Sequence, residues 1–188
     1  MRIESYAESA VPEALRRQVH ALQNQAWPGD PTDGPVHDPA LRPLSMLLVD
    51  DGVVVAALDI LRKELRHAGN TFQAGGLSTV VTRADLRGQG HGHRLVTAAR
   101  TTMIDEHLDL GIFTCDRPLL PFYESAGWHH LPGTTLIGGT PNDPFPSDQP
   151  AFDKVALGAF FSPDAQQAAP SFDNARIPLH PGTIDKLW

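Results

Sequence analysis

Arg87-Gly88-Gln89-Gly90-His91-Gly92 places an arginine and three alternating glycines directly ahead of an apolar, helix-like run. Glycine permits positive φ and close backbone approach, so successive N–H groups can converge on one anion. A helix beginning near Gly92 adds its positive end, and Arg87 adds charge-assisted donors. The chemistry this suits is the binding of a pyrophosphate, with contacts from Arg87, Gly88, Gln89, Gly90, His91 and Gly92. The hexapeptide fits the spacing [RQ]-x-x-G-x-[GA]. It lacks the GK[ST] of a nucleotide-hydrolysing P-loop, and Leu95 occupies the last glycine position of GxGxxG. An ordinary strand-to-helix turn is the competing reading of the same six residues.

Other reactive side chains are scattered. His91 and His93 stand two apart with no third ligand nearby, which does not make a zinc site. Cys115 is the only cysteine, so neither an internal disulfide nor a CxxC metal site can form. Its plainest reading is a small buried apolar thiol. Asp30, Asp38, Asp143, Asp148 and Asp185 fall in loops or near the end of the chain, where binding pockets are usually assembled. Each could equally be solvated surface. Trp27 and Trp128 read as packing residues, with Trp27 able to stack on a sugar ring.

The elements that must position these groups follow from periodicity. Pro12 to Ala26 carries Leu15, Val19, Leu22 and Ala26 at helical spacing, with Pro12 in the first turn. WPGDPTDGPVHDPALRP (27–43) is a loop or a short broken helix by composition. The run 46-MLLVDDGVVVAALDIL-61 predicts two strands joined at Asp51-Gly52, and a third strand spans about Thr71 to Thr82, with Gly75-Gly76 inviting a bulge. After the glycine loop, Leu95, Val96, Ala99 and Met103 mark an amphipathic helix. Gly111 to Cys115 reads as a buried strand, 118-PLLPFYESAG-127 as a short helix closed by Gly127, and His129-His130 as a strand edge. Strands return in TTLIGG and DKVALGAFF. SPDAQQAAPSFDNA is a short helix or a surface excursion, and ARIPLHPGTIDKLW is extended. The order predicts an α/β (α+β) fold with a mixed sheet, as one domain over residues 1–188 with 162–188 as a C-terminal extension.

Composition limits the partners. The chain has 188 residues, 41% of them hydrophobic and 20% charged, as expected of a globular domain with a real core. A formal net charge of −7 disfavours nucleic acid and favours a cationic partner. No apolar run approaches the ~20 residues that span a bilayer, so no membrane partner is expected. MRIESYAESA lacks the pattern of an export signal, which with the lone cysteine gives a cytoplasmic expectation. A homodimer is left open, because the tail ending in Trp188 could complete its own site or cross to a partner subunit.

A strand ending in VVT (80–82), then R-x-x-G-x-G, then a helix, and about thirty residues later FYESAGW (122–128), resembles the GNAT superfamily of acetyl-CoA-dependent N-acetyltransferases. The likeness covers roughly Val53 to Gly133, with the helix and loop before it in order. A finer likeness rests on AWPGD (26–30), AGN (68–70), VTRADLRGQ (81–89), FYESAGW and a final tryptophan after a late aspartate. These segments are similar to the aminoglycoside 2'-N-acetyltransferases. One departure stands out: Ser78 takes the strand position at which those enzymes carry an acidic residue implicated in activating the amine through water.

The resemblance implies a GNAT-type fold, a mostly antiparallel mixed sheet with helices on both faces. It implies direct acetyl transfer from acetyl-CoA to a primary amine of a small cationic acceptor, such as an aminoglycoside-type antibiotic. The glycine loop would then hold the CoA pyrophosphate, and Val80, Val81 and Thr82 would run beside pantetheine, offering backbone groups to the thioester. Tyr123 would protonate the leaving thiolate, and an acetyl-cysteine on Cys115 is the covalent alternative to direct transfer. Asp30, Asp38, Ser78, Asp148, Asp185 and Trp188 would face the acceptor. Asp30, His37, Asp38 and the Trp188 carboxylate are the candidates for the base. A peptide or metabolite amine is the alternative acceptor, and a non-catalytic CoA-binding sensor the alternative class.

Overall fold

In a computed structural model, residues 1–28, 36–150 and 152–188 are described. The chain begins with β1 (Arg2–Ala7), a strand that the sequence reading did not anticipate. Its polar residues leave it half exposed, and it is defined by antiparallel pairing with β2 (Leu44–Asp50) rather than by an apolar pattern of its own. Between them lies α1 (Glu13–Ala26), with Pro12 at its N-cap. The following loop contains a short 3₁₀ turn, Pro39–Leu41, as its composition foretold.

β2 and β3 (Val53–His67) form the expected hairpin. Its two turn residues, Asp51 and Gly52, have φ of 49° and 82°, as a type I′ turn demands. β4 (Asn70–Thr82) returns beside β3. The bulge in this pair is not at Gly75-Gly76, which keep register with Arg62 and Leu61. It lies farther along, where Ser78 faces Asp59 but Val81 faces Ala57, and Thr79 takes φ of 50°. The two glycines answer a different need. A Cβ on Gly75 would meet Leu108 at 2.8 Å, and one on Gly76 would meet the Trp188 indole at 2.6 Å.

α2 (His91–Asp105), β5 (Leu110–Asp116), α3 (Leu120–Ser125) and β6 (His129–His130) follow. Then come β7 (Thr135–Gly139), β8 (Pro144–Pro146), β9 (Lys154–Phe160), α4 (Pro163–Ala168) and β10 (Arg176–Pro178). The main sheet runs β1-β2-β3-β4-β5-β9-β6, antiparallel except at β4–β5, and β6 is an edge. A second, three-stranded sheet runs β10-β7-β8. The whole is a mixed, mostly antiparallel sheet with helices, the predicted fold class.

The helices cover opposite faces because strand residues alternate sides. Val19 and Leu22 of α1 pack with Leu47, Val54, Ala57 and Val81. Leu95, Val96, Ala99 and Met103 of α2 pack against the other set, including Met46, Leu48, Leu58 and Ile60. Each such fully buried aliphatic side chain contributes about 1.5–3 kcal/mol. No described helix is long and apolar enough to cross a membrane.

Candidate active site

β4 and β5 pair only through Ala74 with Leu110 and Gly75 with Gly111. Beyond that point β4 stays with β3 and β5 with β9, so the two central strands part. Trp188 occupies the fork. Its indole lies over Gly76, and its backbone oxygen accepts from Thr114 N–H at 3.1 Å, as a neighbouring strand would.

The fork opens into a cleft of about 280 Å³. One wall is Ser78, Thr79 and Val80, the other Thr114, Cys115 and Asp116, with Tyr123 and Leu119 contributed from the α3 region. Trp27 also lines the cleft. It is 55% exposed, so it is a surface of the cleft and not the packing residue expected, whereas Trp128 is fully buried.

Tyr123 is buried, its ring set edgewise on Phe113 at 5.1 Å. Burial pushes its phenol well above the ordinary tyrosine range, and Cys115 and Asp116 push it further. Its hydroxyl therefore keeps a proton to give. Burial raises the Cys115 thiol to about 11, with Asp116 adding to the effect and Lys154 opposing it. A thiol so disposed is a poor nucleophile, because the thiolate is the reactive form.

The glycine loop leads from the end of β4 to α2. Gly88 and Gly90 take φ of 78° and 81°, which only glycine adopts without strain, and nothing crowds either Cα. Gly90 is the N-cap of α2 and provides no side-chain acceptor, so the first amides of the helix remain available to an anion. Arg87 is exposed, with Nε donating to Thr82 O at 3.2 Å. Gly92 is needed for close approach: a Cβ there would lie 2.9 Å from Thr82 Oγ1. Val80 faces the cleft, while Val81 is buried against α1.

A buried polar junction adjoins the cleft. Asp59, on β3, is 4% exposed and accepts from Ser45 Oγ and from Thr79 Oγ1, each at 2.5 Å. His37 Nε2 lies 3.3 Å from Asp59 Oδ2, within ion-pair reach but off hydrogen-bond alignment. His37 Nδ1 meets Asp185 Oδ1 at 2.5 Å, and Asp185 Oδ2 accepts from Asp38 N–H at 2.8 Å. Burial by itself would lower the His37 pKa, but the two carboxylates outweigh it and raise it to about 10. His37 is thus an imidazolium between two acids, which leaves it no lone pair with which to act as the base.

Several anticipated acceptor contacts are placed otherwise. Asp148 sits by the small sheet, bound to Arg176 at 2.7 Å and Thr135 at 3.2 Å. Asp185 is consumed by His37, and Asp38 caps the 3₁₀ turn by accepting from Ala40 N–H at 2.9 Å. Asp143 closes a turn with Thr140. Ser78 and Trp188 do line the cleft, and Asp30 lies outside the described residues. Asp59 and Thr79 were missed. The available signal was the single acid inside the apolar run VVVAALDIL, since a charge on a buried strand needs partners.

Residues 9–131, well over half of the chain, match the family model described as an acetyltransferase (GNAT) domain. Among solved structures, an acyl-CoA N-acyltransferase from Pseudomonas aeruginosa superposes with a TM-score of 0.59 at 16% identity, covering 84% of this chain and 97% of that one. Escherichia coli ElaA gives 0.57 at 15% identity, covering 84% and 99%. An aminoglycoside 6'-N-acetyltransferase complexed with coenzyme A gives 0.59 at 13% identity, covering 87% and 98%. At these identities the structures attest the fold, and the family match carries the assignment: the chain belongs to the GNAT family and is an acetyl-CoA-dependent N-acetyltransferase.

Proposed function

We propose that the protein acetylates a primary amine of a small cationic molecule, and that aminoglycosides bearing a 2'-amine are the first class to test. The parting of β4 from β5 carries this reading, because it opens a cleft lined by Tyr123, whose buried phenol stays protonated. Acetyl-CoA supplies the acetyl group as a thioester. The glycine loop and the first turn of α2 hold its pyrophosphate, and the backbone of Thr79 to Thr82 lies beside its pantetheine arm. Trp27, Phe152 and Trp188 line the same cleft. Exposed Trp27 suits a sugar ring or a cation over its face.

The chemistry asked of the chain is limited. The neutral amine attacks the acetyl carbonyl carbon, and the carbon–sulfur bond breaks. Backbone N–H groups at the β4 bulge are disposed to meet the charge that builds on the carbonyl oxygen. Tyr123 gives its proton to the departing thiolate, and the proton shed by the acylated nitrogen restores the phenol. The aminoglycoside class is favoured by the finer sequence likeness. Among the described acidic side chains only Asp116 lines the cleft, however, and it is paired with Lys154 at 2.8 Å. The acceptor's further ammonium groups would therefore need Asp30 or the rim.

The test is thiol release from acetyl-CoA with aminoglycosides that have and lack a 2'-amine, polyamines and short peptides. Selective turnover of the 2'-amino compounds supports the reading in full. Turnover confined to peptides or polyamines would overturn the aminoglycoside acceptor and leave acetyl transfer standing. Binding of CoA without turnover of any amine would favour a sensor.

A further inference from the structure

Thr79 is an unusual residue to find at φ of 50°. A β-branched side chain in the left-handed region is strained, and glycine is the ordinary occupant. It nonetheless stands in the middle of the cleft wall, between Ser78 and Val80. Thr79 and Val80 have no Cα partner on β3, because the register jumps from Ser78–Asp59 to Val81–Ala57. On the other side β5 has already turned away. Neither residue therefore has a register partner on either neighbouring strand.

The Thr79 side chain is tied down. Thr79 Oγ1 donates to Asp59 Oδ2 at 2.5 Å, and Asp59 is itself fixed by Ser45 Oγ and faced by His37 Nε2. His37 is braced in turn by Asp185, 148 positions away. The run of contacts from Asp185 to Thr79 passes through buried groups, and its outer end is the bulge.

We infer that Asp59 and His37 are positioning residues for acetyl transfer: through the Thr79 hydroxyl they hold the β4 bulge in the left-handed conformation that presents the 79–80 backbone to the cleft. The inference rests on the proposed reading of that cleft. A carboxylate accepts hydrogen bonds only, so the Asp59 oxygens take the Ser45 and Thr79 hydroxyl protons while facing His37 Nε2. A neutral amide in its place would turn a donor toward one of them.

The test is a set of substitutions read by kcat and KM separately. Asp59→Asn and Thr79→Val should each lower kcat about 10- to 100-fold, the scale of a misplaced catalytic backbone, with KM for acetyl-CoA nearly unchanged. Thr79→Ser, which keeps the hydroxyl, should retain most of the rate. In a Thr79→Gly background the left-handed conformation needs no tether, so adding Asp59→Asn should cost little more. Full activity in Thr79→Val, or an undiminished Asp59→Asn effect in the Thr79→Gly background, overturns the inference. A crystal structure of the Asp59→Asn protein gives a readout independent of turnover. Loss of the positive φ at residue 79 supports the tether, and its retention refutes it, even if no amine proves to be a substrate.

Discussion

The glycine loop and the His37 junction solve opposite problems. The loop draws on six consecutive residues, Arg87 to Gly92, and leaves the first turn of α2 without a side-chain cap, as the proposed pyrophosphate site requires. The junction takes single residues from positions 37, 45, 59, 79 and 185, and all but the half-buried Thr79 share their charges and protons out of solvent. One region is proposed to receive a charge, and the other holds one in place. The difference teaches where each should register when damaged: the loop in cofactor affinity, the junction in stability and in the rate of the chemical step.

The largest expected effect would come from His37→Ala. Removing the cation leaves Asp59 and Asp185 buried and uncompensated, and breaking such a pair costs about 3–5 kcal/mol. Urea denaturation would measure it, and a loss below about 1 kcal/mol would put the junction on a par with a surface contact. The same histidine fixes a pH dependence. Its pKa in the folded protein is about 10, above the 6.5 of a free side chain, so protonation favours the folded state. That contribution is complete below about pH 6.5 and is lost as the pH rises toward 10. Melting temperatures should fall across that window in the wild-type protein and less in His37→Ala.

Tyr123→Phe comes next. It should lower kcat about 100-fold, with KM for acetyl-CoA close to wild type. An unchanged kcat would remove the phenol from the reaction. Arg87→Ala should raise KM for acetyl-CoA about 10-fold, the worth of a charge-assisted contact to phosphate, with no shift in melting temperature. A loss of stability on that substitution would blur the contrast between the two regions. The smallest effect belongs to Asp148→Asn. Its pairing with Arg176 is solvent-exposed, and kcat, KM and melting temperature should all stay within error of wild type.

Legibility followed the same divide. The Asp51-Gly52 hairpin, α2 and the glycine loop were readable because each is specified by neighbouring residues, through turn chemistry or a 3.6-residue period. The motif around Tyr123 was readable for the same reason. β1 was not, since RIESYA has little alternation and is a strand only because β2 gives it a partner. The bulge was misplaced because glycine is the usual marker of a bulge. Here the glycines admit Met103, Leu108 and Trp188, while a threonine takes the positive φ. Asp59 and Asp185 could be seen as acids, but nothing local says that a histidine at 37 lies between them. Their roles depend on which distant strands and tail segments meet.

The parting of β4 and β5 also has a mechanical side. β4 and β5 share only two register pairs where the half-sheet β1–β4 meets the half-sheet of β5, β9 and β6, with α2 laid across both. A pantetheine arm seated between the strands would act as a suture as well as a substrate. Ligand present at 100 times its Kd stabilises a fold by about 2.7 kcal/mol. In this molecule that gain would be concentrated at the seam, so the loaded protein should resist opening of the β4–β5 fork more than the empty one.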